Sequence, residues 1–275
     1  MAPGRDDPDR KLFAEELKAM RQQRGWKRDE LAKMINFSES TIGNIEAMYR
    51  APTRQQAALL DKAFDAPGTF ARLEERIRGV AFSTGFRPFY PYEQAALTLK
   101  TFQHTLVPGL FQTKDYARAI LETHPGVSEQ VVQDRVEGRI SRQAMLNRTE
   151  PAPPWLWAVL DEHVLNRDIG GPAVMFAQME RLAELARRPR INIQVIPGDR
   201  PHAGLLGAFV LAEMDEPPVM LHLETGFGGQ TVEHPQMAAT MVVLFDTLRM
   251  EALTGGASLA LIEEAALRWK EGSET

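Results

Sequence analysis

Apolar positions recur at helical spacing through the first 80 residues and then change texture. Phe13, Leu17 and Met20 predict a helix over about residues 12–23, with Gly25 as its stop and Trp26 packed where the chain enters the next element. Leu31, Ala32 and Ile35 share one face of a second helix that starts near Arg28, and Ile42 and Ile45, at i and i+3, share one face of a third. Only Asn36 and Phe37 separate the two, so the connection is a tight turn. Asn36 is suited to the left-handed conformation that ends a helix, Phe37 to packing under the turn, and Ser38 to capping the helix that follows. Two short helices held this way, the second with a polar outer face of Glu39, Ser40, Gly43 and Asn44, form a helix-turn-helix arrangement. Thr53 caps a fourth helix with Ala57, Leu60 and Phe64 inward, and Phe70, Leu73, Ile77 and Val80 mark a fifth over residues 69–80.

Beyond Phe82 the stretch FSTGFRPFYP is rich in aromatics, Pro and Gly, and it predicts an extended linker. Strands are expected at 95–103, 155–160, 191–196 (INIQVI, strictly alternating), 207–212 and 219–223, the last two joined by an acidic Pro-Pro turn. Helices are expected at 114–122 behind Thr113, from Ser128 to about residue 147, from Pro172 to about 188, from His234-Pro235 to about 253, and at 258–269. The Arg- and Glu-rich 128–147 helix is expected to be largely solvated. Helices mixed with hairpin-like strands give an α+β class. The expected organisation is a flexible arm (1–11), an all-α helix-turn-helix domain (12–80), a linker (81–94) and a larger α+β C-terminal domain (95–275).

Charge sharpens this division. The chain of 275 residues carries a net charge of −5. Residues 1–78 hold 15 Lys and Arg against 13 Asp and Glu, a balance of +2, and the remainder holds 17 basic and 24 acidic residues, a balance of −7. The pattern is that of a DNA-facing head on an acidic body. The head is only mildly basic, so useful operator binding needs two of them, as in a homodimer. Cysteine is absent, which excludes disulfides, thiolate zinc sites and a cysteine nucleophile and fits a cytoplasmic setting. The N-terminus has no apolar signal-peptide core, and no apolar run approaches the roughly 18 residues of a membrane span.

The run LKAMRQQRGWKRDELAKMINFSESTIGNIEAMYRAPTRQQAALLDKAF resembles the DNA-binding domain of the lambda-repressor-like, xenobiotic-response-element (XRE) regulators. It has the first helix ending in Gly25, "xxELA" in the second helix and "SxSTIxxIE" in the third. Family members usually carry a Gly near the end of the third helix, where this chain has Ala47-Met48. The segments LVPGLFQT, DYARAIL, 155–162, IGGPAVMFAQMERLAEL and 191–197 resemble a C-terminal domain of unknown function found in many actinobacterial XRE regulators and described as antitoxin-like. That second resemblance implies regulation through a small protein encoded nearby.

Within this frame Glu39, Ser40 and Asn44 are the base-reading candidates: Asn pairs with adenine, Ser is permissive, and Glu accepts from the cytosine amino group. Lys27, Arg28, Ser38, Thr41, Arg50 and Arg54 are the phosphate-binding candidates, with Lys27 and Arg28 at a helix N-terminus that abuts a phosphate in the family. Arg5, Arg10 and Lys11 are within reach of DNA, but a solvated tail is the expectation there. In the body, Asp161, Glu162, His163, His202, His222, Glu224 and His234 are the titratable residues from which an enzyme or ligand-sensor site would be built. Their spacing matches no metal or hydrolase signature, and 225–229 matches no nucleotide-binding loop. The expectation is a regulator with no catalytic, metal or cofactor site. Its docking surface for a protein partner is sought in the aromatic stretch 82–92 and at exposed strand edges within 205–223.

Overall fold

The computed structural model describes residues 8–80, 86–199, 201–217, 219–225 and 229–273. The chain divides into two units, one holding residues 8–80 and the other nearly all of residues 86–273.

The first unit is all helical: α1 (Pro8–Gln23), α2 (Arg28–Met34), α3 (Glu39–Glu46), α4 (Arg54–Phe64) and α5 (Thr69–Val80). Its core gathers the residues that the helical spacing turns to one side, among them Phe13, Leu17, Leu31, Ile35, Ile42, Ile45, Leu60, Phe64 and Phe70. Trp26 stacks on Phe64 with ring centroids 5.2 Å apart. Four of the helices end on the same device. Gly25, Asn36, Met48 and Asp65 all lie in the left-handed region, at φ 71°, 57°, 61° and 54°. In each case that residue's N–H reaches back three residues and the next N–H reaches back five, the Schellman pattern that satisfies the last carbonyls of a helix. Met48 is thus a non-glycine residue in the left-handed region, so the turn after α3 is closed at a conformational cost.

The arm is shorter than the sequence implied. Residues 8–11 belong to α1, because Asp9 is buried and pairs with Arg76 of α5 (Nη2–Oδ1 2.6 Å). Residues 1–7, including Arg5, lie outside the described residues.

The second unit is built on a six-stranded mixed sheet: β1 (Thr98–Gln103), β2 (Trp155–Asp161), β3 (Ile191–Ile196), β4 (Phe209–Glu213), β5 (Val219–Leu223) and β6 (Gln230–Val232), in the order β3-β2-β1-β4-β5-β6. The β1–β2 and β2–β3 pairs are parallel, and the other three pairs are antiparallel. Both faces are covered, and the two-residue period of a strand assigns each side chain to one of them. Leu156, Ala158 and Leu160 of β2 join a core with α10 (Pro172–Ala186) and α12 (Gly255–Ser273), while Val159 joins a second core with α11 (Pro235–Glu251). The expected caps are present: Thr113 opens α7 (Lys114–Glu122), Ser128 opens α8 (Glu129–Arg142), and the His234 ring opens α11.

Three expectations are corrected here. The described part of the expected linker, residues 86–94, is not extended: Phe86 and Phe89 are buried in the core, and α6 (Tyr90–Ala95) follows. Helix α8 is less solvated than its composition implied. Val132 and Val136 are buried, and Arg142 bonds the buried Glu93 and lies 3.8 Å over the Phe86 ring. The strands within 205–223 are not edges either, because β4 lies between β1 and β5, and β5 between β4 and β6. Pattern and spacing missed α6, the short α9 (His163–Asn166) and β6.

Candidate DNA-binding interface

The outer face of α3 is positioned from three sides. Ile42 and Ile45 are fully buried beneath it. At its start the Ser38 hydroxyl accepts from Thr41 N (3.2 Å), and at its end the Met48 turn closes the helix. The third constraint is ionic, and sequence reasoning missed it. The Glu46 carboxylate, 1% exposed, accepts from Arg21 of α1 through both oxygens (2.6 and 3.1 Å) and from Arg28 Nε of α2 (2.7 Å). One side chain therefore ties α1, α2 and α3 together. Burial alone would push its pKa up, but the hydrogen bonds from Arg21 and Arg28 outweigh this and hold the carboxyl below the ordinary value of 4.5.

Against this rigid back, Glu39, Ser40 and Asn44 stand exposed on one face, with Gly43 between them. Among the described residues the side chains of Glu39 and Asn44 have no hydrogen-bond partner. The Ser40 hydroxyl is shared with Ser38 (2.9 Å), and Ser38 also meets the half-buried Thr41 hydroxyl (2.8 Å). The three hydroxyls sit at the N-terminus of α3, where backbone N–H groups and the helix dipole favour an anion such as a phosphate. Lys27 caps α2, and its backbone N–H is taken by Glu30 (2.7 Å), which leaves its ammonium exposed. Arg28 spends Nε on Glu46 and stays 46% exposed, so it both braces α3 and faces outward. Arg50 and Arg54 are exposed and make no ion pair among the described residues. The structure thus places the base-reading and phosphate candidates along α2, α3 and the segment that leads into α4, with Thr41 half-buried and Arg28 and Ser38 also structural.

The titratable residues of the body do not converge on one site. Asp161, at the end of β2, accepts from His202 Nε2 (2.8 Å), from the His163 backbone N (2.7 Å) and from His163 Nδ1 (2.8 Å). Burial would raise its pKa, but the bond from His202 and those from His163 lower it. His202 Nδ1 accepts from Gly204 N (3.2 Å), so the buried ring carries its proton on Nε2 and Asp161 is its acceptor. A shallow cavity of about 370 Å³ beside this cluster is lined by Asp161, His163, Gly198, Asp199, Pro201 and Leu205. His222 lies apart, between Phe86 and Phe89 at 5.0 and 5.1 Å, where burial lowers its pKa to about 4 and keeps it neutral. Glu224 accepts from Gln103 (2.7 Å), and His234 caps α11. Among the described residues no group of three or more His, Asp or Glu is placed to hold a metal ion.

The expected docking surfaces also change. Phe86 and Phe89 are interior, and residues 81–85 lie outside the described residues. Large apolar side chains that do face outward in the body include Leu97, Trp155 and Leu267, Leu205 (51% exposed) and Leu206 (100%) beside the cavity, and Met237, Val243 and Met250 on α11. Thr240 and Thr247 on the same helix turn their hydroxyls back to the carbonyls of Gln236 and Val243, which leaves that face poor in free donors. No helix among the described residues is long and apolar enough to cross a membrane.

A family model described as helix-turn-helix matches residues 17–70, and one described as a domain of unknown function (DUF5753) matches residues 86–264. No curated protein and no solved structure matches the chain. The boundaries agree with the two units, and the first match covers the helices whose outer face has just been described. The chain belongs to the DUF5753 family, and its helix-turn-helix of the XRE type makes it a DNA-binding regulator.

Proposed function

We propose that the protein is a cytoplasmic, sequence-specific transcriptional regulator of the antitoxin-like kind. It binds duplex DNA as a homodimer, and its C-terminal domain answers to a small protein encoded nearby. The observation that carries the reading is the outer face of α3. Ile42 and Ile45 are buried, Ser38 caps the helix and Glu46 is held by Arg21 and Arg28, yet Glu39 and Asn44 present unpaired polar side chains to the outside. A rigid helix with free donors and acceptors on one face is what direct readout in the major groove needs. Arg50, Arg54, Lys27 and Arg28 supply the sequence-independent phosphate contacts.

The dimer follows from the modest charge of the head, since two half-sites multiply a weak single contact. Control by a partner works only through differential affinity: a partner shifts DNA occupancy by preferring the DNA-competent arrangement of the dimer or the other one. The body has no metal-holding group among its described residues, and Asp161 is engaged by His163 and His202, so the reading gives the body a receiving role. The test is DNA binding by the full chain and by residues 1–80, each with and without the neighbouring gene's product. The core of the helical unit closes on its own residues, so the short form is expected to fold. The partner should change DNA binding of the full chain alone. An equal effect on both forms, or on neither, refutes partner control through the body.

A further inference from the structure

Gly43 is the fifth of the eight residues of α3, where glycine weakens a helix relative to alanine. Nothing among the described residues accounts for it. Its φ is not positive, so the backbone needs no glycine, and a Cβ built there would meet no atom within 4 Å. Two glycines of the body do have such internal reasons: a Cβ on Gly204 would stand 2.3 Å from the Phe102 ring, and one on Gly170 2.9 Å from Ala119. The space over Gly43 opens outward, beside Glu39, Ser40 and Asn44 on the reading face.

The length of the neighbouring side chains bears on the same point independently. Ser40 and Asn44 are short, and the Ser40 hydroxyl is further held back by Ser38 (2.9 Å). Short side chains touch base edges only when the helix backbone lies deep in the groove. The major groove, roughly 12 Å wide, admits a helix whose full diameter is about 10–12 Å, so seating depth is set by what projects from the facing side.

We infer that Gly43 is the point of closest approach between α3 and the DNA. The missing side chain lets the groove come within a methyl's width of the helix, and this sets which base edges Ser40 and Asn44 can reach. Gly43 is thus a steric specificity determinant that makes no hydrogen bond of its own. The inference rests on the assignment of α3 as the reading helix.

The test compares full-length wild type, Gly43→Ala and Gly43→Val on a duplex selected from a random pool by the wild type, and on a mixed-sequence duplex at the same salt. Gly43→Ala should raise the melting midpoint of the helical unit by about 2–8 °C, as a relieved helix-interior glycine does. It should also weaken binding to the selected duplex about tenfold or more, the effect of an extra methyl in a filled interface. Gly43→Val should bind more weakly still, and the mixed duplex, held through phosphates, should be much less affected. Selected-duplex binding by Gly43→Ala equal to wild type would overturn the inference and leave the reading helix in place. A lowered melting midpoint would also overturn it, because the glycine would then have an internal role. A wild-type chain that enriches no sequence would remove the DNA reading itself, and this inference with it.

Discussion

The ionic lock on α3 offers the sharpest energetic test of how the reading face is held. Replacing Glu46 with alanine removes the acceptor of three charge-assisted hydrogen bonds, two from Arg21 and one from Arg28. Arg28 is 46% exposed and finds water in compensation, so its share is small. The Arg21 side chain is 10% exposed and keeps only its bond to the Trp26 carbonyl (2.9 Å). Breaking a buried pair while one charge stays behind costs about 3–5 kcal/mol. For a helical unit of this size that lowers the melting midpoint by about 12 °C or more. Glu46→Gln should fall between the variant and wild type, because it keeps one oxygen acceptor. The pH dependence follows from the lowered pKa. A carboxylate held below its unfolded value of 4.5 contributes fully above that pH and loses its contribution as pH falls through the folded value. Wild type should therefore lose stability below about pH 4.5 more steeply than Glu46→Gln. Thermal unfolding followed by circular dichroism across pH measures both effects. A loss under about 1 kcal/mol in Glu46→Ala, or identical pH profiles, would show that the lock contributes nothing net, as many exposed ion pairs do.

Three further outcomes are expected. Met48→Gly should stabilise the helical unit by about 0.5–1 kcal/mol, because the left-handed conformation costs a non-glycine residue more than glycine's extra unfolded-state entropy. A loss of stability would mean that the Met48 side chain packs more than it strains. Asp161→Ala should destabilise the body by about 2–3 kcal/mol by stranding the buried His202 Nε2–H, and chemical denaturation that finds no change would remove Asp161 as the anchor of that loop. Arg50→Ala with Arg54→Ala should make the salt dependence of DNA binding shallower by about 1 per lost phosphate contact, with base preference unchanged. An altered preference in titrations at several salt concentrations would reassign one of them to the bases.

The helical unit was legible in the sequence because its determinants are local. Asn36 and Ser38 act within one turn of where they stand, and the i, i+3 spacing of Ile42 and Ile45 fixes which face of α3 looks out. The Glu46 lock was not legible, because it joins residues 25 and 18 positions apart and a lone Glu on a helix looks like a solvated one. Met48 in the left-handed region escaped for a different, local reason: a methionine carries no turn signal, and the bond from the Tyr49 N–H to the Asn44 carbonyl overrides its preference. In the body, INIQVI gave β3 by its alternation, but the aromatic and Pro-rich stretch at 86–92 looked like linker composition. Its Phe86 and Phe89 are buried by contacts with His222 and Arg142, far along the chain. Strand order is likewise a non-local fact, and without it β4 and β5 passed for edges. Of the body's histidines, His163 and His202 do meet at Asp161, while His222 lies apart between Phe86 and Phe89.

The most direct measurement is selection and sequencing of duplexes bound by the full-length protein, run side by side for wild type and Ser40→Ala/Asn44→Ala. Wild type should enrich a pseudo-palindromic sequence with half-site centres about one helical turn apart. The double variant should lose about 1–3 kcal/mol of discrimination per base pair read, at particular positions within each half-site. Enrichment of the same sequence with the same preference by both proteins would contradict α3 as the reading helix.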